Sequence, residues 1–445
     1  MSYLPQTPED TGQMLDKAGA DSVEDLFSTI PEACRYSGTL NIGAGMDGIE
    51  LDRHIRELAS SPASELPCFK GGGIYDHYIP PAVDALSRRS EFYTAYTPYQ
   101  PEASQGHLQV FFEYQTMICS MTGMDISNVS MYDGGSALAE AALMGSRMKP
   151  KAGKIVAASN MNPDYLQVLE TYLKWADIPL EKADTNPDGL VDTEDFGKKA
   201  EGAAACLFQN PNYFGLIEDG SRLTAAAHAR DAFACVSADP ISLALLKRPG
   251  DYGADIVCGE GQALGSPPYF GGQGFGILAA RREFLRKLPG RIIGKTADRH
   301  GNECCVLTLQ TREQHIRRSR ATSNICSNQA WCVTRAVIYC AAMGPQGLAA
   351  AASRSAEAAH KLAQACSRIK GFSLPYKTPF FKEFVLSCPA PVQEINGLLL
   401  ENGIIGGINL GTFFPGRSHE MLVCATEKNS AQDILRFSEI LQKAS

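Results

Sequence analysis

Between Lys154 and Ala280 the chain keeps returning to one pattern, a short apolar run rich in alanine and β-branched residues followed by a polar stretch with helical spacing. The candidate strands are Lys154 to Ser159, Ala203 to Gln209, Phe233 to Asp239, Asp255 to Gly259 and Gly274 to Ala280, each short enough for a strand buried on both faces. Runs apolar on both faces need cover on both sides, so their alternation with helices predicts an α/β fold built on a mostly parallel sheet. Asn162 caps a helix opening at Pro163, and Tyr165, Leu169, Tyr172, Leu173 and Ala176 share one face of it.

With 445 residues the chain exceeds what one hydrophobic core serves. After about Ala330 the rhythm changes to a long alanine-rich helix, a strand near Phe384 to Ser387, a helix around Val392 to Asn402, a strand near Met421 to Ala425 and a last helix opened by Ser430. This predicts three parts: 1–95, an N-terminal helical arm with a Gly/Pro/aromatic segment; 96–330, a large α/β domain; and 331–445, a small α+β domain. Thr7 before Pro8 suits a helix cap with proline in the first turn, and Ser22 to Asp25 reads as a capping box. Between Pro62 and Pro101 glycine, proline and aromatics crowd together, which predicts irregular chain of the kind that lines sites and interfaces.

A formal net charge of -8 gives no global attraction to nucleic acid or anionic lipid. The 14 cysteines show no Cys-x-x-Cys spacing, so neither a zinc ribbon nor a disulfide framework is expected, and no metal motif occurs. No apolar run reaches membrane-spanning length and no leader-like segment opens the chain, so the expected setting is the reducing cytoplasm.

Gly43-Ala44-Gly45-Met46-Asp47-Gly48 matches the dinucleotide fingerprint, but only Thr39 to Ile42 precedes it and irregular chain follows, so a βαβ nucleotide site is not expected. Gly271 to Gly276 reads as a turn entering a strand. Asp133-Gly134-Gly135-Ser136 opens a helix; the spacing fits a plain cap better than an anion site, though both remain open. Arg312, Arg317, Arg318 and Arg320 surround His315 as a solvated face or, together, a carboxylate or phosphate contact. His54, His228 and His360 read as surface or packing residues.

Four segments, Tyr96-Thr97-Pro98-Tyr99-Gln100-Pro101-Glu102-Ala103-Ser104-Gln105-Gly106, Glu113 to Cys119, Tyr132 to Ala141 and Thr311 to Arg318, together resemble the P-protein family of the glycine cleavage system, specifically its first-subunit type. The resemblance implies the aspartate-aminotransferase-like fold (fold type I) of pyridoxal phosphate (PLP) enzymes. It puts Gly134, Gly135 and Ser136 where that fold holds phosphate and Asp239 where it pairs with the pyridinium nitrogen, as a vestigial cofactor pocket. The family's lysine-bearing subunit has His-Lys where this chain has Gln262-Ala263, so Ala263 occupies the Schiff-base slot. Lys247 and Lys295 lie away from it in sequence, and neither falls at a strand end.

No catalytic residue is therefore expected in this chain alone, and no covalent PLP. The resemblance implies pairing with a second subunit that carries PLP, as two of each, to decarboxylate glycine and pass the aminomethyl group to the lipoyl arm of the H-protein. It makes Tyr96, Pro98, Tyr99, Gln100, Glu102, Gln105, Thr311 and His315 candidates for an active-site wall at the subunit interface, with the Gly71 to His77 turn beside them. The alternative is a purely structural or regulatory partner of the PLP-bearing subunit.

Overall fold

The computed structural model describes residues 6–36, 38–60, 65–93, 97–268, 274–325 and 327–444. Tyr96 and Gly271 to Gln273, singled out above, lie outside them. The chain divides into two units, Met1–Ser64 and Glu65–Ser445.

In the first unit, Thr7 accepts from Asp10 in a capping box before the helix Pro8–Ala18, and Asp47 does the same for the helix Gly48–Ala59. The dinucleotide-like glycines thus lead into a capped helix, with no strand before it among the described residues. The Ser22–Asp25 box forms as well, but over a single 3-10 turn, Glu24–Phe27.

The second unit is built on a seven-stranded sheet: β1 (Ile126–Ser127), β2 (Lys154–Ala158), β3 (Leu180–Ala183), β4 (Ala203–Asn210), β5 (Phe233–Ala238), β6 (Ile256–Glu260) and β7 (Gly276–Ala280). Their order is β1-β7-β6-β5-β4-β2-β3. The run β3-β2-β4-β5-β6 is parallel, and β7 and β1 close one edge antiparallel. All five expected strands are present. β5 ends at Ala238, which leaves Asp239 as the first residue beyond the carboxyl end of a central strand, the position where open α/β sheets place their ligands.

The helix Gly134–Met148 packs across β4, β6 and β7. Its alanines 137, 139, 141 and 142 are fully buried, and their small size brings the helix close enough for its first turn to meet the end of β6. The helix Pro163–Trp175, capped by Asn162, lies beside it.

Beyond the sheet come a hairpin of β8 (Ile292–Ala297) and β9 (Glu303–Thr308), and a three-stranded antiparallel sheet of β10 (Glu383–Ser387), β11 (Ile408–Asn409) and β12 (Glu420–Cys424). The smaller sheet has its own core, in which Phe384, Leu386 and Val423 meet Leu399 and Phe437. Phe69, from the irregular segment, belongs to that core too. The alanine-rich helix Ala330–Cys366 breaks at Gly344, with Pro345 following, as expected where a proline removes an intrahelical hydrogen bond.

Candidate active-site pocket

Asp239 does not stand free at the end of β5. Its Oδ1 accepts from the Ile241 N–H at 3.0 Å, and its Oδ2 lies 2.7 Å from the Nζ of Lys382, whose side chain is only 2% exposed. Lys382 comes from the segment leading into β10, so the smaller sheet supplies the cation for the larger one. Its Nζ also sits 3.4 Å from the centroid of the Tyr75 ring and 2.9 Å from His77 Nε2.

An ammonium only donates, so His77 Nε2 must accept from Lys382, leaving Nδ1–H to donate to Glu427 Oε2 at 2.8 Å. Burial, reinforced by the neighbouring Lys382 charge, holds His77 below its ordinary pKa, consistent with that neutral form. Burial alone would raise Glu427. Hydrogen bonds from His77, the Tyr78 N–H and the Ser355 hydroxyl overcome it and hold the carboxyl below its ordinary pKa.

The turn that contains Tyr75 and His77 is clamped here on several sides. Gln262 Oε1 accepts from the Tyr75 N–H at 2.9 Å and its Nε2 donates to the Tyr75 carbonyl at 3.0 Å. Tyr75 Oη donates to Glu383 Oε2 at 2.7 Å, and the other oxygen of Glu383 accepts from the Gly72 N–H. The Gly71 to His77 turn, expected beside the Tyr99 loop, makes these contacts to its own chain's pocket.

The first turn of the helix Gly134–Met148 is closed in the same way. Asp133 Oδ1 accepts from the Ser136 N–H at 2.7 Å while Ser136 Oγ accepts from the Asp133 N–H, and Glu260 Oε2 accepts from the Gly134 N–H at 2.9 Å. Glu260 Oε1 takes the N–H groups of Gln262 and Phe275 at 2.9 and 3.1 Å. A Cβ on Gly134 would lie 2.7 Å from Tyr165 Oη, so only glycine lets the helix start this close. Of the two readings open for this glycine turn, the cap is realised, with an anion from the chain itself.

PLP does not fit these residues. The space among Tyr75, Asp239, Lys382 and Glu383 is about 20 Å³, on the scale of a single water. The neighbouring cavity of about 240 Å³ is bordered by Asp133, Asp164 and Glu260, carboxylates that repel a phosphate. Ala263 is 4% exposed and brings no amine. Lys247 is exposed, and Lys295 pairs with Glu303 on the hairpin. The lysine that does reach Asp239, Lys382, is the one the sequence reading missed.

Burial pushes the Glu260 carboxyl up to about 7, with Asp133 adding to it, against three N–H donors that favour the ionised form. The Glu260 charge in turn acts to raise Tyr165, Tyr114 and Cys332. A folded-state value above the unfolded one, near 4.5, means that the folded chain binds the extra proton between those values, so this group's contribution to stability falls as pH rises from about 4.5 through 7. Glu260→Gln is expected to remove that fall, worth on the order of 2 kcal/mol; urea midpoints of both proteins at pH 5 and pH 8 check it, and parallel pH profiles would refute it.

The wall residues separate into two groups. Tyr99 is 53% exposed, follows the buried Pro98, and meets His315 edge-on at 6.1 Å. The Arg291 guanidinium lies 5.5 Å from the Tyr99 ring centroid and donates to its hydroxyl at 3.4 Å. Gln105 grips the hairpin through Cys305, accepting from its N–H and donating to its carbonyl, both at 2.8 Å. Gln100, Glu102 and Thr311 are exposed; the Gln100 carbonyl accepts from the Ala103 N–H and the Thr311 carbonyl from Arg317. Arg312, by contrast, is buried and donates to the carbonyls of Leu309 and Gly290, a structural use. Arg291 was not singled out from sequence because it stands among other basic residues, Arg286, Lys287 and Lys295, with nothing local to set it apart.

Among the described residues, no helix is long and apolar enough to cross a membrane and no grouping of His, Cys, Asp or Glu suits a metal ion.

The chain matches the family described as Glycine cleavage system P-protein over residues 1–441. It is 46% identical to the probable glycine dehydrogenase (decarboxylating) subunit 1 of Desulforamulus reducens, with 98% of each chain covered. It is 44% identical to the protein of the same name from Citrifermentans bemidjiense, over 100% of this chain and 99% of the other. The crystal structure of glycine decarboxylase (P-protein) of the glycine cleavage system, in inhibitor-bound form, superimposes with a TM-score of 0.90 at 39% identity, covering 100% of both chains. Sphingosine-1-phosphate lyase of Burkholderia pseudomallei shares the fold alone, with a TM-score of 0.65 and 16% identity over 93% of this chain and 94% of the other. These neighbours fix the architecture as fold type I of the PLP-dependent enzymes. The chain belongs to the glycine cleavage system P-protein family.

Proposed function

We propose that this chain is the non-lysine subunit of a glycine dehydrogenase (decarboxylating), active only with a second subunit that carries the lysine and holds PLP covalently. The observation that carries this reading is the salt bridge between Lys382 and Asp239, which puts a side chain where a cofactor ring would need an acidic partner. Decarboxylation of glycine requires an electron sink, which PLP supplies when bound. No residue of this chain replaces that sink, so the sink belongs to the partner. The assembly would contain two of each subunit, and the lipoyl group of the H-protein would accept the aminomethyl group.

In this reading the chain contributes surface. Pro98 is buried and anchors the loop, Arg291 supports the Tyr99 ring from within the fold, and His315 flanks it. This holds an exposed aromatic in a fixed orientation with little entropy left to lose on assembly. Gln100, Glu102 and Thr311 are exposed at the same loops, where they can meet substrate or the lipoyl arm. The exposed apolar residues of the N-terminal unit, among them Ile42, Ile49 and Leu58, support a chain that works against a partner.

Tyr99→Ala, reconstituted with the partner subunit and H-protein, is expected to slow the exchange of bicarbonate into glycine about 10- to 100-fold while the subunits still co-purify. Unchanged exchange would remove the loop from the active site and leave the chain a structural partner.

A further inference from the structure

The pocket around Asp239 and Glu260 is filled in a definite order. At one end a carboxylate, Glu260, takes the first N–H of the helix Gly134–Met148 together with two loop N–H groups. A helix N-terminus favours an anion, and the chain provides its own. At the other end an ammonium, Lys382, pairs with the aspartate beyond β5. The Tyr75 ring stands next to that ammonium, with its backbone tied in both directions to Gln262, whose N–H in turn binds Glu260. An anion, an aromatic ring and a cation therefore run through the pocket, each bonded within one chain.

We propose that Glu260, Tyr75 and Lys382 form an internal replacement for the cofactor. Glu260 stands for the phosphate on the glycine-turn amides, Tyr75 for the ring, and Lys382 for the protonated ring nitrogen on Asp239. The proposal rests on the family reading, in which this pocket corresponds to a PLP site, and goes beyond the absence of a lysine at position 263. A pocket that had merely lost its lysine would still attract the cofactor through the helix amides and Asp239. A pocket with those anchors spent on its own side chains does not, and it keeps its shape with nothing bound.

The two cases differ in what happens when the missing amine is put back. Ala263→Lys, made in the full chain, is incubated with PLP, reduced with borohydride and mapped by peptide. The expected result is no stoichiometric pyridoxyl adduct at position 263. An adduct there would overturn the inference while leaving the proposed function intact. A stoichiometric adduct at Lys382 in the unmodified chain would overturn both.

Two further arms do not depend on Ala263→Lys folding. Equilibrium dialysis of the unmodified chain against PLP is expected to show no saturable binding, and saturable binding would sink the inference. Melting is then followed against inorganic phosphate. The unmodified chain and Glu260→Gln, which keeps an acceptor on the amides, are expected to show no phosphate-dependent rise. Glu260→Ala frees those amides and is expected to show one. A folded Glu260→Ala protein indifferent to phosphate, or a rise of equal size in the unmodified chain, would contradict the assignment of Glu260.

Discussion

Lys382→Met is expected to destabilise the chain by about 3–5 kcal/mol, because it removes one partner of a buried ion pair and leaves the other charged and uncompensated. Both conditions hold here. The Lys382 side chain is 2% exposed and that of Asp239 11% exposed, and among the described residues the hydrogen bond left to the Asp239 carboxylate is the one from the Ile241 N–H. The substitution also strips His77 Nε2 of its donor and leaves an apolar chain where the ammonium met the Tyr75 ring. Methionine has nearly the volume of lysine, so cavity formation adds little and the loss reports on charge. Asp239→Asn in the same protein should restore about 2 kcal/mol or more, since the amide keeps the Ile241 bond and carries no charge. Full recovery is not expected, because His77 Nε2 still lacks the donor that Lys382 supplied. Denaturant unfolding of the two single variants and the double one measures the coupling; additive losses would mean that the two side chains do not act as a pair.

Gly215→Ala is expected to cost about 3 kcal/mol or more through two independent effects. Gly215 has φ +83, a conformation that strains any residue with a Cβ, and an added Cβ would overlap the backbone carbonyl of Glu383. The neighbouring backbones are joined, Phe381 N–H to the Gly215 carbonyl and Ile217 N–H to that of Pro379, so the contact cannot open without moving the segment that carries Lys382. The same substitution at Gly202, which also has positive φ but open space around it, isolates the dihedral term and should cost only about 1 kcal/mol. Equal losses at both sites in thermal unfolding would show that the approach of the 379–383 segment to Gly215 carries no stability.

Much of the architecture was readable because it depends on local patterns. The buried runs of β2, β4, β5, β6 and β7 are apolar on both faces, and the helix caps at Thr7, Asn162 and Ser430 are set by side chains within three residues. β3 was missed because its sequence, Leu-Glu-Lys-Ala, is mostly partly exposed at the sheet edge, and β1 because two residues carry no period. The β8–β9 hairpin escaped because its outer half is solvated and alternates poorly.

At the site, Asp239 and the glycine turn were legible as positions, and their partners were not. Lys382 and His77 are 305 residues apart, and nothing near Phe381-Lys382-Glu383 in sequence announces a buried ammonium. Glu260 reads locally as the polar end of a strand, and its role appears only when the helix Gly134–Met148 packs against β6. Tyr99 and His315, named from separate segments, do come together, yet Arg291 beneath them has no local signal.

We propose that this chain does not decarboxylate glycine by itself. Carboxyl-labelled glycine, with PLP and lipoylated H-protein present, is supplied first to the isolated chain and then to the same sample after the lysine-bearing subunit is added. Release of labelled carbon dioxide is expected only after the second addition. Release from the chain alone, above a blank without protein, would mean that it decarboxylates glycine unaided and would overturn the proposed role.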